Sequence, residues 1–340
     1  MIDFMDRREI VQRAIEFNKP PRLPFWQSFI PEIPNDIRDC WEMDRQKNGW
    51  FFDPNQWPDR HKALDDWGCG WVASEIENMG QVTMHPLEDW SKLKSYRPPN
   101  PRDPYYFERL EREMADAGDR YVVVTSHFNL FERLDMLHGF RNTLEDLYLE
   151  PEKCEKVLDL ILAWKLEHWD ELERRFGSRV HGLFCTDDWG SQEATFISGP
   201  MFQAFFLPRY RKLVDAVHAK GWHFMLHSCG KINEFVPYFL QAGVDVVNMG
   251  QPQTYGIREL GGRFAGKICF LCTADIQKTL PGGDLEKIRA EVRELVTSWS
   301  TADGGFIVFN YGMGGAIGVS EASTREMFME FGRQMSFWGA

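Results

Sequence analysis

The sequence predicts an α/β protein built as a (β/α)8 TIM barrel with an elaborated N-terminal loop region. Helix-like and strand-like segments alternate regularly after Pro104, and several of the strand segments are nearly unbroken apolar runs. Such runs suit parallel strands that face helices on one side and a packed interior on the other. Adding an early strand and one from the Trp-rich region gives about eight βα units, the number that closes a barrel. A doubly wound open sheet is the alternative; no G-x-G-x-x-G follows the first strand, which weighs mildly against it.

The first helix follows a capping Asp6, carries Ile10, Val11, Ala14, Ile15 and Phe17 at helical spacing, and stops at Lys19-Pro20-Pro21. An apolar strand is expected over Leu23 to Phe29. From residue 31 to 104 the pattern changes: Trp41, Trp50, Trp57, Trp67, Trp71 and Trp90 are spread among Pro, Asp and Asn. We read this stretch as a cap inserted into a single barrel spanning residues 1–340, with short helices and a hairpin near Gly70 to Met84. A helix from Tyr106 to Ala117 then leads into the strand Tyr121 to Ser126. A long amphipathic helix, Pro151 to Phe176, buries Val157, Ile161, Trp164 and Leu172 and leads into the strand Val180 to Thr186. Further units place strands at Trp222 to His227, Val244 to Asn248, Ile268 to Leu271 and Phe306 to Asn310, and a helix follows Ser320.

Composition narrows the function. The 340 residues are 43% hydrophobic, enough for a large core, and the net charge of −12 disfavours a nucleic-acid binder. No run of eighteen or more apolar residues predicts a membrane span, and the first residues, with Asp3, Asp6, Arg7 and Arg8, do not resemble a signal peptide. A cytoplasmic location is expected. The seven cysteines then read as thiols or ligands. The oligomeric state stays open, a homodimer included.

In a barrel the active site lies where the strands' C-terminal ends converge. Those ends carry Gln27 and Ser28, Ser126 and His127, Thr186-Asp187-Asp188, His227-Ser228-Cys229, Asn248 to Gln251, Cys272 to Gln277, and Asn310 to Met313. His227 and Cys229 are two apart on an extended chain, so they face the same side and can offer an imidazole nitrogen and a thiolate to one metal, with zinc the natural choice. A hydrogen-bonded histidine beside a small buried cysteine is the plainer alternative. Asp187 and Asp188 point to opposite faces, so one enters the site, as acid, orienter or ligand, while either could instead cap the following helix. His127 is a candidate proton carrier. Gln27, Gln192, Gln251 and Asn310 are candidate substrate contacts, and the glutamines, Gln277 among them, could bind a planar amide-rich ligand.

The segment His227-Ser228-Cys229-Gly230-Lys231-Ile232, followed by Phe239 to Asp245, resembles the H-x-C-G, helix, G-V-D block of the uroporphyrinogen decarboxylase superfamily. The likeness runs from Thr186 to Glu321, with echoes in Arg22 to Trp26 and in Asp66-Trp67-Gly68. The resemblance implies a (β/α)8 fold and one of two activities: tetrapyrrole decarboxylation, or zinc-dependent methyl transfer between a corrinoid protein and a thiol or tetrahydrofolate. The decarboxylases carry an Arg-rich M-R-Q-A-G-R-Y block; here the stretch reads Trp26-Gln27-Ser28-Phe29-Ile30-Pro31-Glu32, without the arginines that would pair a polycarboxylate. The methyltransferase branch implies zinc on His227 and Cys229, methylcobalamin on a partner protein, and a second cysteine after the last strand. That cysteine is absent, the stretch being Asn310-Tyr311-Gly312-Met313, and a Met thioether is a poor zinc ligand. Cys272, Asp188 or Glu193 could supply the third ligand. The Trp and Met richness could line a pocket or dock the corrinoid protein. Two other readings stay open: a metal-independent decarboxylase or lyase acting on a small carboxylated substrate through Asp188, and a non-catalytic barrel that binds a corrinoid or a carrier protein.

Overall fold

The computed structural model describes residues 5–42, 63–72, 80–312 and 314–334. Eight parallel strands form a nearly closed barrel: β1 (Phe25–Trp26), β2 (Ile37–Trp41), β6 (Tyr121–Thr125), β7 (Gly182–Thr186), β8 (His223–His227), β9 (Val246–Met249), β10 (Cys269–Cys272) and β11 (Phe306–Phe309), in the order β1-β11-β10-β9-β8-β7-β6-β2. The three short strands between them, β3 (Ala63–Leu64), β4 (Gly70–Val72) and β5 (Gln81–Met84), pair antiparallel as a separate small sheet. This is the (β/α)8 fold that the alternation predicts, with the Trp-rich stretch contributing β2 and the small sheet. Trp50, Trp57 and Met313 lie outside the described residues.

The seam between β1 and β2 is closed by one buried side chain. Asp36 accepts the Phe25 amide at 2.9 Å, donates its own amide to the Phe25 carbonyl at 2.8 Å, and is held by both terminal nitrogens of Arg22 at 2.6 and 2.7 Å. A charge buried this deeply is tolerable only because each oxygen has a donor.

Period-two alternation divides the strands. Inward-facing Trp26, Ile37, Val123, Phe184, Met225, Val246, Leu271, Ile307 and Phe309 pack as the barrel's interior, closed from below by Val11 and Ile15 of helix Arg7–Ile15. Asp6 caps that helix, accepting the Glu9 amide at 2.7 Å. Outward-facing Val124, Leu183, Cys185, Phe224, Leu226, Val247, Phe270 and Val308 pack against the helices.

Helix Pro151–Phe176 has the expected limits. Helix and strand also alternate where no helix was anticipated: Leu130–His138 and Phe140–Leu149 are separated by Gly139, whose φ of 95° breaks one amphipathic run into two. A π turn, Phe202–Phe206, precedes helix Leu207–His218.

Candidate metal centre

β8 ends at His227, whose inward position follows from the register that aligns Thr186, His227, Asn248 and Leu271 across four strands. The imidazole Nδ1 lies 2.7 Å from Asn248 Oδ1, and Asn248 Nδ2 donates to the Leu271 carbonyl at 2.8 Å. A carbonyl only accepts, so the Asn248 amide is fixed with its oxygen toward His227. Nδ1 therefore carries the proton and Nε2 presents a lone pair to the barrel mouth.

Two residues on, Cys229 brings its Sγ to 3.2 Å from that Nε2. Ser228 between them points the other way, fully buried, and accepts the Trp189 amide at 3.0 Å. The loops after β7 and β8 are clasped again where Lys231 donates its amide to the Ser191 carbonyl at 2.7 Å. Gly230 makes the clasp possible. Its φ is 79°, and a Cβ there would overlap the Gly190 backbone.

The clasp brings Asp188 to the pair. Its Oδ1 accepts the Cys229 amide at 2.7 Å and lies 3.6 Å from His227 Nε2. Asp188, His227 and Cys229 offer ligand atoms that all lie within 4.8 Å of one another, and the Asp188 side chain keeps 36% of its surface open. Bonds of about 2.1 Å to nitrogen or oxygen and about 2.3 Å to sulfur, at tetrahedral angles, place ligand atoms roughly 3.3 to 3.7 Å apart. The 3.2 Å from His227 Nε2 to Cys229 Sγ and the 3.6 Å from His227 Nε2 to Asp188 Oδ1 are close to that. Burial and the neighbouring Asp188 carboxylate push the Cys229 thiol well above its usual pKa, so a cation at this point is what would favour the thiolate.

Asp187 faces outward, as the alternation requires, and is buried. It caps helix Leu130–His138 from across the sheet, accepting the amides of Leu130, Phe131 and Glu132 at 3.2, 3.2 and 2.8 Å and the Tyr210 hydroxyl at 2.5 Å. The capping role considered for the pair thus belongs to Asp187, on the preceding helix and not the following one.

The other candidates are dispersed. Cys272 is not brought to the group: Leu271 faces inward, so Cys272 faces the helix layer, with its thiol on the carbonyls of Met249 and Thr273 at 3.2 and 3.1 Å. Glu193 is exposed and also outside the group. His127 packs its ring 4.9 Å from that of Trp41. Burial, with Lys165 and His227 adding to it, holds the pKa of His127 well below the usual histidine range. Gln192 and Gln251 are brought together, Nε2 to Oε1 at 3.2 Å, and Asn310 Nδ2 donates to the Gln27 carbonyl at 3.4 Å.

Four further polar residues of the barrel carried no assigned role in the sequence reading. Asn248 stood only within a polar strand end. Glu132, on the helix after β6, accepts the Thr186 hydroxyl at 2.6 Å, and burial, with Asp188 and Asp187 adding to it, holds its pKa well above the usual carboxylate range. Tyr311 lies where its pKa is raised by burial and by Cys229 and Asp188. Asp39 sits on β2, inside the stretch read as an irregular cap. Only the helical spacing around Leu130 could have pointed to Glu132.

A parallel barrel with an Asp-His-Cys cluster at the C-terminal ends of its strands defines a TIM-barrel enzyme scaffold with a candidate transition-metal centre. The chain belongs to the uroporphyrinogen decarboxylase family, whose model, "Uroporphyrinogen decarboxylase (URO-D)", matches residues 65–333. Among solved structures it is similar to a methyltransferase from Methanosarcina mazei, at 13% identity, 97% of this chain, 99% of that one and a TM-score of 0.67. It is more distantly similar to a GH10 endoxylanase retrieved from a sugarcane soil metagenome, at 10% identity, 68% of this chain, 84% of that one and a TM-score of 0.40, which carries no further weight. No curated protein matches the chain.

Proposed function

We propose that this protein is a methyltransferase that moves a methyl group between a corrinoid protein and a thiol or tetrahydrofolate acceptor, at a zinc site formed by His227, Cys229 and Asp188. The observation that carries the reading is the convergence of three donor atoms of different chemistry within 4.8 Å at the barrel mouth, one of them an imidazole nitrogen whose tautomer is already fixed. Asp188 takes the place left by the absent cysteine after the last strand. A nitrogen, a thiolate and a carboxylate make an acceptable zinc set with a fourth position for substrate.

When bound, zinc supplies the positive charge that lowers the pKa of a thiol entering that fourth position, leaving a thiolate nucleophile. The chain's own residues prepare for this. Asn248 keeps the His227 lone pair aimed into the cavity. The Cys229 amide holds the Asp188 carboxylate beside the thiol. Should the acceptor be tetrahydrofolate, Asp188 is the group placed to take or give a proton at the pterin nitrogen.

The test is the zinc content of purified protein beside His227→Ala, Cys229→Ala, Asp188→Ala and Cys272→Ala. The reading expects about one zinc per wild-type chain, loss of metal in the first two, weakened retention in the third, and full retention in Cys272→Ala. A wild-type protein free of zinc and without turnover in a methyl-transfer assay would overturn it in favour of the metal-independent decarboxylase or lyase.

A further inference from the structure

We infer that Asp39 forms a second recognition pole across the barrel from His227, and that it selects an acceptor thiol bearing a protonated amine; this rests on the reading above.

β2 stands three places from β8 in the eight-membered ring, so its inward side chains look across the cavity at the metal ligands. Asp39 is one of them, between Ile37 and Trp41 on the inward face. Thr125 donates to one of its oxygens at 2.6 Å, Gln27 to the other at 3.1 Å, and the Trp41 side chain also hydrogen-bonds it. Two carboxylate oxygens offer about four lone-pair positions, so three donors leave room for one more. The side chain is enclosed by protein yet keeps partial solvent access, as expected of a group lining an internal cavity.

Gln27 is held in an unusual state to serve this contact. Its φ is 61°, in the left-handed region, and its backbone is tied by Asn35, whose Oδ1 accepts the Gln27 amide at 3.1 Å, and by Asn310, which donates to its carbonyl at 3.4 Å. A strained non-glycine residue fixed by two side chains is a common mark of a functional site.

Charge then specifies the ligand. Among the described residues, the inward positions of the eight strands include Asp39 but no lysine or arginine. A thiol carrying a sulfonate or carboxylate would face an acid without a counter-charge, whereas an ammonium would pair with it. Strands about 4.8 Å apart put β2 and β8 backbones roughly 12 Å from each other across the ring.

The experiment is calorimetric binding of three thiols of equal length to zinc-loaded protein at pH 7.5: cysteamine, 2-mercaptoethanol and 2-mercaptoethanesulfonate. Cysteamine should bind about 10-fold or more tighter than the sulfonate, the scale of one charge-assisted hydrogen bond. In Asp39→Asn that ratio should fall to within about 2-fold while 2-mercaptoethanol binding is unchanged. Wild-type protein that binds the sulfonate as well as cysteamine overturns the inference whether or not the variant folds. So does a preference that survives in Asp39→Asn, since the amine would then be answering to Asp188 or to the overall negative charge. Failure of all three thiols to bind metal-loaded protein would overturn this inference together with the thiol-acceptor form of the reading above, leaving tetrahydrofolate as the acceptor.

Discussion

Two neighbouring aspartates should fail in opposite ways when truncated. In Asp187→Ala, three backbone amides at the start of helix Leu130–His138 and the Tyr210 hydroxyl lose their common acceptor. All four donors are buried, and each costs on the order of 1 kcal/mol when left without a partner. Loss of an N-cap alone costs about 1 to 2 kcal/mol, so a total of roughly 4 kcal/mol is expected. Against a total stability of about 5 to 15 kcal/mol this is large, and it should lower the thermal midpoint by roughly 6 °C. In Asp188→Ala the Cys229 amide loses its acceptor, along with the contacts of the carboxylate to the Cys229 thiol and His227, at a half-open position, and about 1 kcal/mol is expected. Chemical denaturation and zinc content measured on the same preparations check both halves. Asp187→Ala should be unstable with its metal retained while folded, and Asp188→Ala should be stable with its metal weakened. Equal destabilisation by the two, or loss of metal only in Asp187→Ala, would refute the assignment of one to the helix and the other to the cavity.

Three further outcomes follow from the same geometry. Gly230→Ala sets a Cβ against the Gly190 backbone at a φ of 79°, so the clasp between the β7 and β8 loops must open. The cost should be about 3 kcal/mol or more, read as a lowered unfolding midpoint together with loss of metal, and a variant that unfolds like the wild type would count against the clasp. Asn248→Leu frees the imidazole to rotate and change tautomer; zinc affinity by competition with a chelator should fall about 10- to 100-fold, and an unchanged affinity would show that Asn248 does not orient His227. His181 accepts the Val122 amide on Nδ1 at 2.8 Å, and burial, with Arg8 adding to it, depresses its pKa to about 4. A depressed pKa means the unfolded chain binds the proton more readily. Its contribution is complete above the unfolded value of about 6.5 and is lost as pH falls toward 4, so His181→Gln should flatten the pH dependence of stability across that window.

Much of this molecule is readable without coordinates because its signals are local. The apolar strand runs, the capping Asp6, the limits Pro151 to Phe176 and the pairing of His227 with Cys229 all depend on periodicity or on neighbours a few residues away. Even the opposed fates of Asp187 and Asp188 follow from alternation, although which of the two faces inward does not. Register decides that, through hydrogen bonds to β8 and β6 that lie dozens of residues distant. Register also turns Cys272 toward the helices, places Asn248 beside His227, and brings Asp39 of a poorly periodic stretch into the ring. A strand's sequence states that its faces differ. Only closure of the barrel gives one face to the cavity and the other to the helices, because that choice is made by packing the whole ring at once.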